Sequence, residues 1–187
     1  KTSLYPKLCR HLHMPLQSGD DEILKLMNRN YTGADYRRVV ERIRDRIPDI
    51  GITTDVMVGF PGEDEEHFHN TYQMVEEIGF SRIHVFQYSK RFGTPAYHFP
   101  NQVDAKTKHE RSEKLISRGK KLFRDFAERF MGKRLEVLFE EYVEGNIGTG
   151  YTDNYIKVMC EIPEDLIGEI VSVEITDIED DCVCGAV

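Results

Sequence analysis

The chain has 187 residues, 40% of them apolar, and 25 Lys and Arg against 33 Asp and Glu give a net charge of −8. This is the composition of an ordinary globular domain, and the acidic balance argues against a protein that binds nucleic acid over its whole surface. No apolar run is long enough to span a bilayer, and Lys1-Thr2-Ser3 opens no signal peptide. With four scattered cysteines (Cys9, Cys160, Cys182, Cys184), a reducing cytoplasm is the expected setting. The chain does not begin with Met, which suggests a processed product or a part of something longer.

In chain order, Leu8 to Leu16 reads as a strand closed by Gln17-Ser18-Gly19. Asp20 is placed to cap a helix through Met27. Gly33 to Ile47 carries Tyr36, Val39, Val40 and Ile43 on one helical face and stops before Pro48. Ile52 to Val58 reads as a strand, Glu63 to Ile78 as a helix ending at Gly79, and Ile83 to Tyr88 as a third strand. Alternating strands and helices predict parallel pairing with crossover helices. Three strands cannot close a barrel, so residues 1–104 are expected to be a piece of a larger α/β domain. The edge of its first strand would be left bare for pairing with another chain.

Asp104 to Met131 reads as one long helix. After it the period becomes two, and five short strands (Arg134–Tyr142, Gly145–Tyr151, Tyr155–Glu161, Glu169–Ile178, Cys182–Ala186) predict a small barrel. Their turns fall at Glu144-Gly145, Asp153-Asn154 and Glu179-Asp180. Charge divides the same way. Residues 1–104 carry 13 basic and 15 acidic side chains, 105–130 carry 9 and 4, and 131–187 carry 3 and 14. The domains are therefore read as 1–104, a basic connecting helix over 105–130, and an acidic barrel over 131–187.

Strand alternation gathers His11, His13, Gln17, Asp55, His84 and Tyr88 on one inner face. So many polar groups need partners, supplied either by a hydrogen-bond network or by a metal held by His and Asp. The ends of parallel strands are where such sheets bind ligands. Gly59-Phe60-Pro61-Gly62-Glu63 joins strand to helix, and its N–H groups suit an anion while Glu63 suits ribose hydroxyls. Tyr88-Ser89-Lys90-Arg91-Phe92-Gly93-Thr94-Pro95 follows the third strand with a phenol, hydroxyls and cations.

Taken together, His11-Leu12-His13-Met14-Pro15-Leu16-Gln17-Ser18-Gly19, Thr54-Asp55-Val56-Met57-Val58-Gly59-Phe60-Pro61-Gly62-Glu63 and Tyr88 to Ala96 resemble, in order, the back half of the radical S-adenosylmethionine domain of tRNA methylthiotransferases. Asp21 to Arg29 resembles the helix after the first of these, and the C-terminal module resembles a TRAM domain. The run Gly150 to Val158 is most similar to the branch acting on threonylcarbamoyladenosine.

The resemblance implies an incomplete TIM-like α/β barrel with parallel strands, followed by a five-stranded antiparallel barrel of OB type. It implies an enzyme that uses S-adenosylmethionine and two four-iron–four-sulfur clusters to insert a methylthio group into a tRNA adenosine. The family's first cluster sits on a C-x-x-x-C-x-x-C run that this sequence lacks. The fragment is thus expected to be inactive alone, to hold no cofactor, and to need an N-terminal part of the same protein.

By resemblance, His13, Gln17, Ser18, Asp55, Gly59, Phe60, Gly62 and Glu63 would line the cofactor pocket. Tyr88, Ser89, Arg91, Gly93 and Thr94 would face cofactor or substrate, and no residue is assigned as catalytic or as a metal ligand. Phosphate contacts are expected from the basic helix, chiefly Lys120 and Lys121, with Tyr142, Tyr151 and Tyr155 available for stacking. The alternatives are modification of a ribosomal-protein aspartate, which an acidic barrel would suit, a metal enzyme using the inner-face His/Asp set, and a pure RNA-binding protein.

Overall fold

A computed structural model describes residues 8–143 and 146–187, so the expected turn at Glu144-Gly145 lies outside the described residues. The chain forms two compact units, one of 13–46 and 52–119, the other of 8–12, 47–51 and 120–187.

The first unit is built on a three-stranded sheet in the order β1 (His11–His13), β2 (Gly51–Val58), β3 (Arg82–Gln87). β2 and β3 run parallel, with Asp55 opposite His84 and Val58 opposite Gln87. Gln17 bridges Val56 in parallel too, so all three strands end on the same side. The first strand is shorter than its apolar pattern implies. Pro15 has no N–H to give, and Gln17 turns to φ +65. Pairing resumes beyond that bend, where the Gln17 N–H donates to Asp55 O and the Met57 N–H to Gln17 O, each at 2.8 Å.

Helices pack on the sheet, and Leu16, Ile52, Val56 and Val58 are fully buried. α1 (Asp21–Leu26) starts where expected, with the Asp20 carboxylate accepting from the N–H groups of Glu22 and Ile23. α2 spans Gly33–Arg46. α3 (Glu65–Ile78) starts two residues later than its sequence pattern suggests. Asp64 is its cap, and His67 Nδ1 accepts the Asp64 N–H at 3.2 Å, a capping box closed by an imidazole. Gly79 ends it at φ +62. α4 (Ala105–Glu128) is the long basic helix.

In the second unit β4 (Arg134–Val143), β5 (Ile147–Thr152), β6 (Lys157–Glu161), β7 (Ile170–Ile178) and β8 (Val183–Ala186) close a barrel in the order β4-β5-β6-β8-β7. It is mixed rather than wholly antiparallel, because β8 returns between β6 and β7 and pairs β6 in parallel. Val137, Phe139, Val158, Val173 and Ile175 fill it, and Phe123, Phe126 and Phe130 of α4 join the same core. Gly150 is required where β4 and β5 touch, since a Cβ there would lie 2.1 Å from Leu138 O.

Candidate functional site

At the shared strand ends lies a cleft of about 980 Å³. Its body is apolar, formed by Leu26, Met27, Met57, Phe60, Ala96 and Phe99, and its rim is polar, with Gln17, Glu22, Lys25, Asn28, Arg29 and Thr94. Each strand end contributes. Gln17 follows β1, Met57 lies at the end of β2 with Phe60 just after the strand, and Thr94, Ala96 and Phe99 come from the segment after β3. Phe60 is the hinge of the wall, packed edge-on against Tyr88 (centroids 5.2 Å, 70°) and Phe99 (6.2 Å, 84°). An apolar slot with a few convergent polar groups is the usual form of a small-molecule or cofactor site.

The Gly59–Glu63 loop differs from the anion cradle its sequence suggests. The Gly59 N–H donates to Glu63 Oε1 at 2.8 Å, the Gly62 N–H to Asn101 O and the Glu63 N–H to Phe60 O. These donors are already used, and the loop instead supports the Phe60 ring. Gly59 (φ +73) and Gly62 (φ +94) make that bend.

Glu63 does not line the cleft. It is 4% exposed, and its Oε1 accepts from Arg111 Nη1 at 2.8 Å. Burial pushes its carboxyl above the usual carboxylate range, against the pull of the Gly59 amide and Arg111. Its second oxygen, buried without a hydrogen bond among the described residues, leaves the charged form short of partners.

Ser18 is also turned away from the cleft. It is fully buried, its Oγ lies 3.1 Å from Thr71 Oγ1 and accepts the Asp20 N–H, and so it fixes the entry to α1. His13 and Asp55 do meet, with Nε2 3.3 Å from Oδ2 and Nδ1 3.0 Å from Thr53 Oγ1. His84 lies beyond them, its ring centroid 6.2 Å from that of His13. Neither His13 nor Asp55 lines the cleft.

Tyr88 belongs to the apolar packing beneath Phe60, and its hydroxyl is buried without a hydrogen-bond partner among the described residues. Thr94 does line the cleft, while Ser89, Arg91 and Gly93 lie on the exposed face of the same segment.

No group of three or more His, Cys, Asp or Glu able to hold a metal occurs among the described residues. His11 leaves the proposed inner-face set, since it stacks on Tyr155 (4.2 Å, 12°), which stacks in turn on Tyr151 (4.7 Å, 19°). Tyr142 is engaged elsewhere, donating to Asn146 Oδ1 at 2.8 Å. Cys182 is buried with its thiol 3.4 Å from Met159 Sδ, and burial raises the thiols of Cys160, Cys182 and Cys184. These residues do not fit an iron–sulfur cluster.

The basic helix is largely committed to the protein itself. Lys108 donates to Tyr88 O, Arg118 pairs with Glu76 at 3.2 Å, and Arg124 donates to Ile178 O. Lys120 Nζ lies 2.5 Å from Asp180 Oδ2, which raises the ammonium and lowers the carboxyl. Lys121 remains exposed.

Sequence reasoning missed the α1 side of the cleft, from Lys25 to Arg29. The available signal was Asn28 directly after a short helix, a residue type that tolerates the left-handed turn it makes here (φ +57). Among the described residues no helix is long and apolar enough to cross a membrane.

Residues 4–75 match the Radical SAM superfamily and residues 128–183 the TRAM domain. The chain is 43% identical over 173 residues to threonylcarbamoyladenosine tRNA methylthiotransferase MtaB of Bacillus subtilis, covering 90% of this chain and 38% of that protein. It is likewise 43% identical over 175 residues to tRNA-2-methylthio-N(6)-dimethylallyladenosine synthase of Acetivibrio thermocellus, covering 92% of this chain and 36% of that one. With the MtaB protein of Thermotoga maritima it shares 40% over 178 residues, 95% of this chain and 41% of the relative. The chain thus spans well under half the length of these curated relatives. With its parallel strands ending in one cleft and its closed five-stranded barrel, the chain carries a segment of the Radical SAM superfamily followed by a TRAM domain.

Proposed function

We propose that these residues supply part of the S-adenosylmethionine site and the TRAM domain of a tRNA methylthiotransferase. The observation that carries this is the cleft where three parallel strand ends meet, apolar within and polar at the rim. Its body fits an adenine ring against Phe60 and Met57, and Gln17, Asn28 and Thr94 are placed on the rim to hold ribose or amino-acid groups. When bound, S-adenosylmethionine supplies the radical chemistry of the family. What this chain's residues do is bind, orient and shield the nucleoside.

The clusters do not belong to these residues, since no C-x-x-x-C-x-x-C run occurs in the 187. In this reading they sit on a separate part of the working enzyme. The substrate is a tRNA adenosine, and the Gly150–Val158 run favours the threonylcarbamoyladenosine branch. A basic protein substrate is the second reading, favoured by the 14 acidic against 3 basic side chains of 131–187.

Calorimetric titration of the chain with S-adenosylhomocysteine tests the site. The sequence alone suggests a chain that holds no cofactor, but the cleft leads us to expect saturable one-site binding that weakens in Phe60→Ala, and no binding refutes the reading. After reconstitution with iron, sulfide and a reductant, these 187 residues are expected to release no deoxyadenosine from S-adenosylmethionine. Robust product would overturn the assignment of the clusters to another part. A gel shift with tRNA, set against a basic ribosomal protein, separates the two substrates.

A further inference from the structure

Two cations of α4 are spent inward, on the ends of β2 and β3. Arg111, 4% exposed, donates Nη1 to Glu63 O (3.1 Å) and Glu63 Oε1 (2.8 Å) and Nη2 to Glu65 Oε1 (2.8 Å). One turn earlier, Lys108 donates Nζ to Tyr88 O at 3.0 Å. Its stem lies so close over Gly59 that a Cβ there would come within 2.3 Å of Lys108 Cγ. Between these fixed points sits Phe60, the loop's contribution to the cleft wall. Glu63 Oε1 also accepts the Gly59 N–H, so the loop is closed on itself and Arg111 holds the closure.

A buried ion pair is a poor device for stability alone, because packed apolar residues often serve as well or better. Here the pair even leaves Glu63 Oε2 and Arg111 Nε without partners among the described residues. What apolar residues would not provide is direction. The planar guanidinium orients one carboxylate oxygen, that oxygen orients the Gly59 amide, and the backbone between them carries Phe60.

We propose that Arg111, assisted by Lys108, is a positioning residue of the cleft, setting the Gly59–Glu63 loop so that Phe60 presents its ring to an adenine-bearing ligand. This rests on the nucleoside reading above. Arg111 touches no ligand itself and acts through Glu63.

The test uses the 187-residue chain with S-adenosylhomocysteine as probe. Arg111→Met/Glu63→Gln removes both charges yet keeps an acceptor for the Gly59 N–H. Arg111→Lys keeps the charge without the fork. Melting temperature, hydrogen exchange of the Gly59 amide and probe affinity are measured for each. The double variant is expected to fold, with Gly59 exchange faster and affinity weaker by about tenfold each, the scale of one lost charged hydrogen bond. Arg111→Lys is expected to fall between it and wild type. A folded double variant that keeps both quantities at wild-type values overturns the proposal. If the double variant does not fold, Arg111→Lys decides on the same two readouts. If the unaltered chain binds no probe, the nucleoside reading fails by itself, and Gly59 exchange alone decides the role of Arg111.

Discussion

Lys108 crosses Gly59 so closely that glycine is the residue that fits beneath it: a Cβ at Gly59 would stand 2.3 Å from Lys108 Cγ. The backbone there also has φ +73, a conformation that side chains with a Cβ resist. Gly59→Ala is therefore expected to lose about 1–3 kcal/mol from backbone strain, with the steric term added. Urea denaturation measures it. Combining it with Lys108→Ala should recover the steric part and leave the strain. A single variant as stable as wild type would show that the loop is not held as described.

His67 makes folding stability depend on pH. Its burial alone would lower its pKa, but the Glu22 hydrogen bond and the charges of Asp20 and Asp64 raise it above the ordinary 6.5. A folded value above the unfolded one means that the contribution is complete below about 6.5 and is lost as pH rises through the raised value. The neutral ring still accepts the Asp64 N–H, whereas the protonated ring has Asp64 Oδ1 at 2.7 Å. His67→Gln preserves a capping side chain without the titration. Melting curves from pH 5.5 to 8.5 should show the wild-type advantage over this variant shrinking with rising pH. A constant difference would exclude the ion pairs.

Phe139 is fully buried in the barrel among Val137, Val173 and Ile175. Phe139→Ala is expected to cost about 3–5 kcal/mol, the range for deleting a large core aromatic. Loss of barrel amide protection in hydrogen exchange would confirm it, and a cost within experimental error would place Phe139 outside the core.

Under the proposed tRNA reading, Lys121 rather than Lys120 is the better candidate for a phosphate contact, because the Lys120 ammonium is held by Asp180. Lys121→Glu should weaken tRNA binding and reduce the salt slope by about one, since each phosphate contact releases roughly one counterion. Lys120→Glu should do less. Equal affinity and equal slope in both variants would clear α4 of the role.

Much of this was legible before the structure. The period of two in β4 to β8, the Asp20 cap and the turn at Gly79 are local signals, and each stood within a residue or two of its expected place. The strand ends were legible as well, because parallel order forces Gln17, Val58 and Tyr88 to one side of the sheet. What failed was side-chain direction. Glu63 looks like a ligand contact in a glycine-rich turn, yet Arg111, 48 residues away, claims it. Lys108, Arg118 and Lys120 look like a phosphate-binding face until their partners are seen. Such choices depend on long-range pairing, which local spacing does not encode. His11 left the inner face for the same reason, drawn into the stack with Tyr155 and Tyr151.

Backbone amide shifts of the isotope-labelled chain, followed as S-adenosylhomocysteine is added, test the central claim most directly. Saturating shifts at Gln17, Met57, Phe60 and Thr94, with the barrel strands unmoved, are the expected result. An absence of shifts at those four positions, or shifts confined to β4–β8, would contradict it.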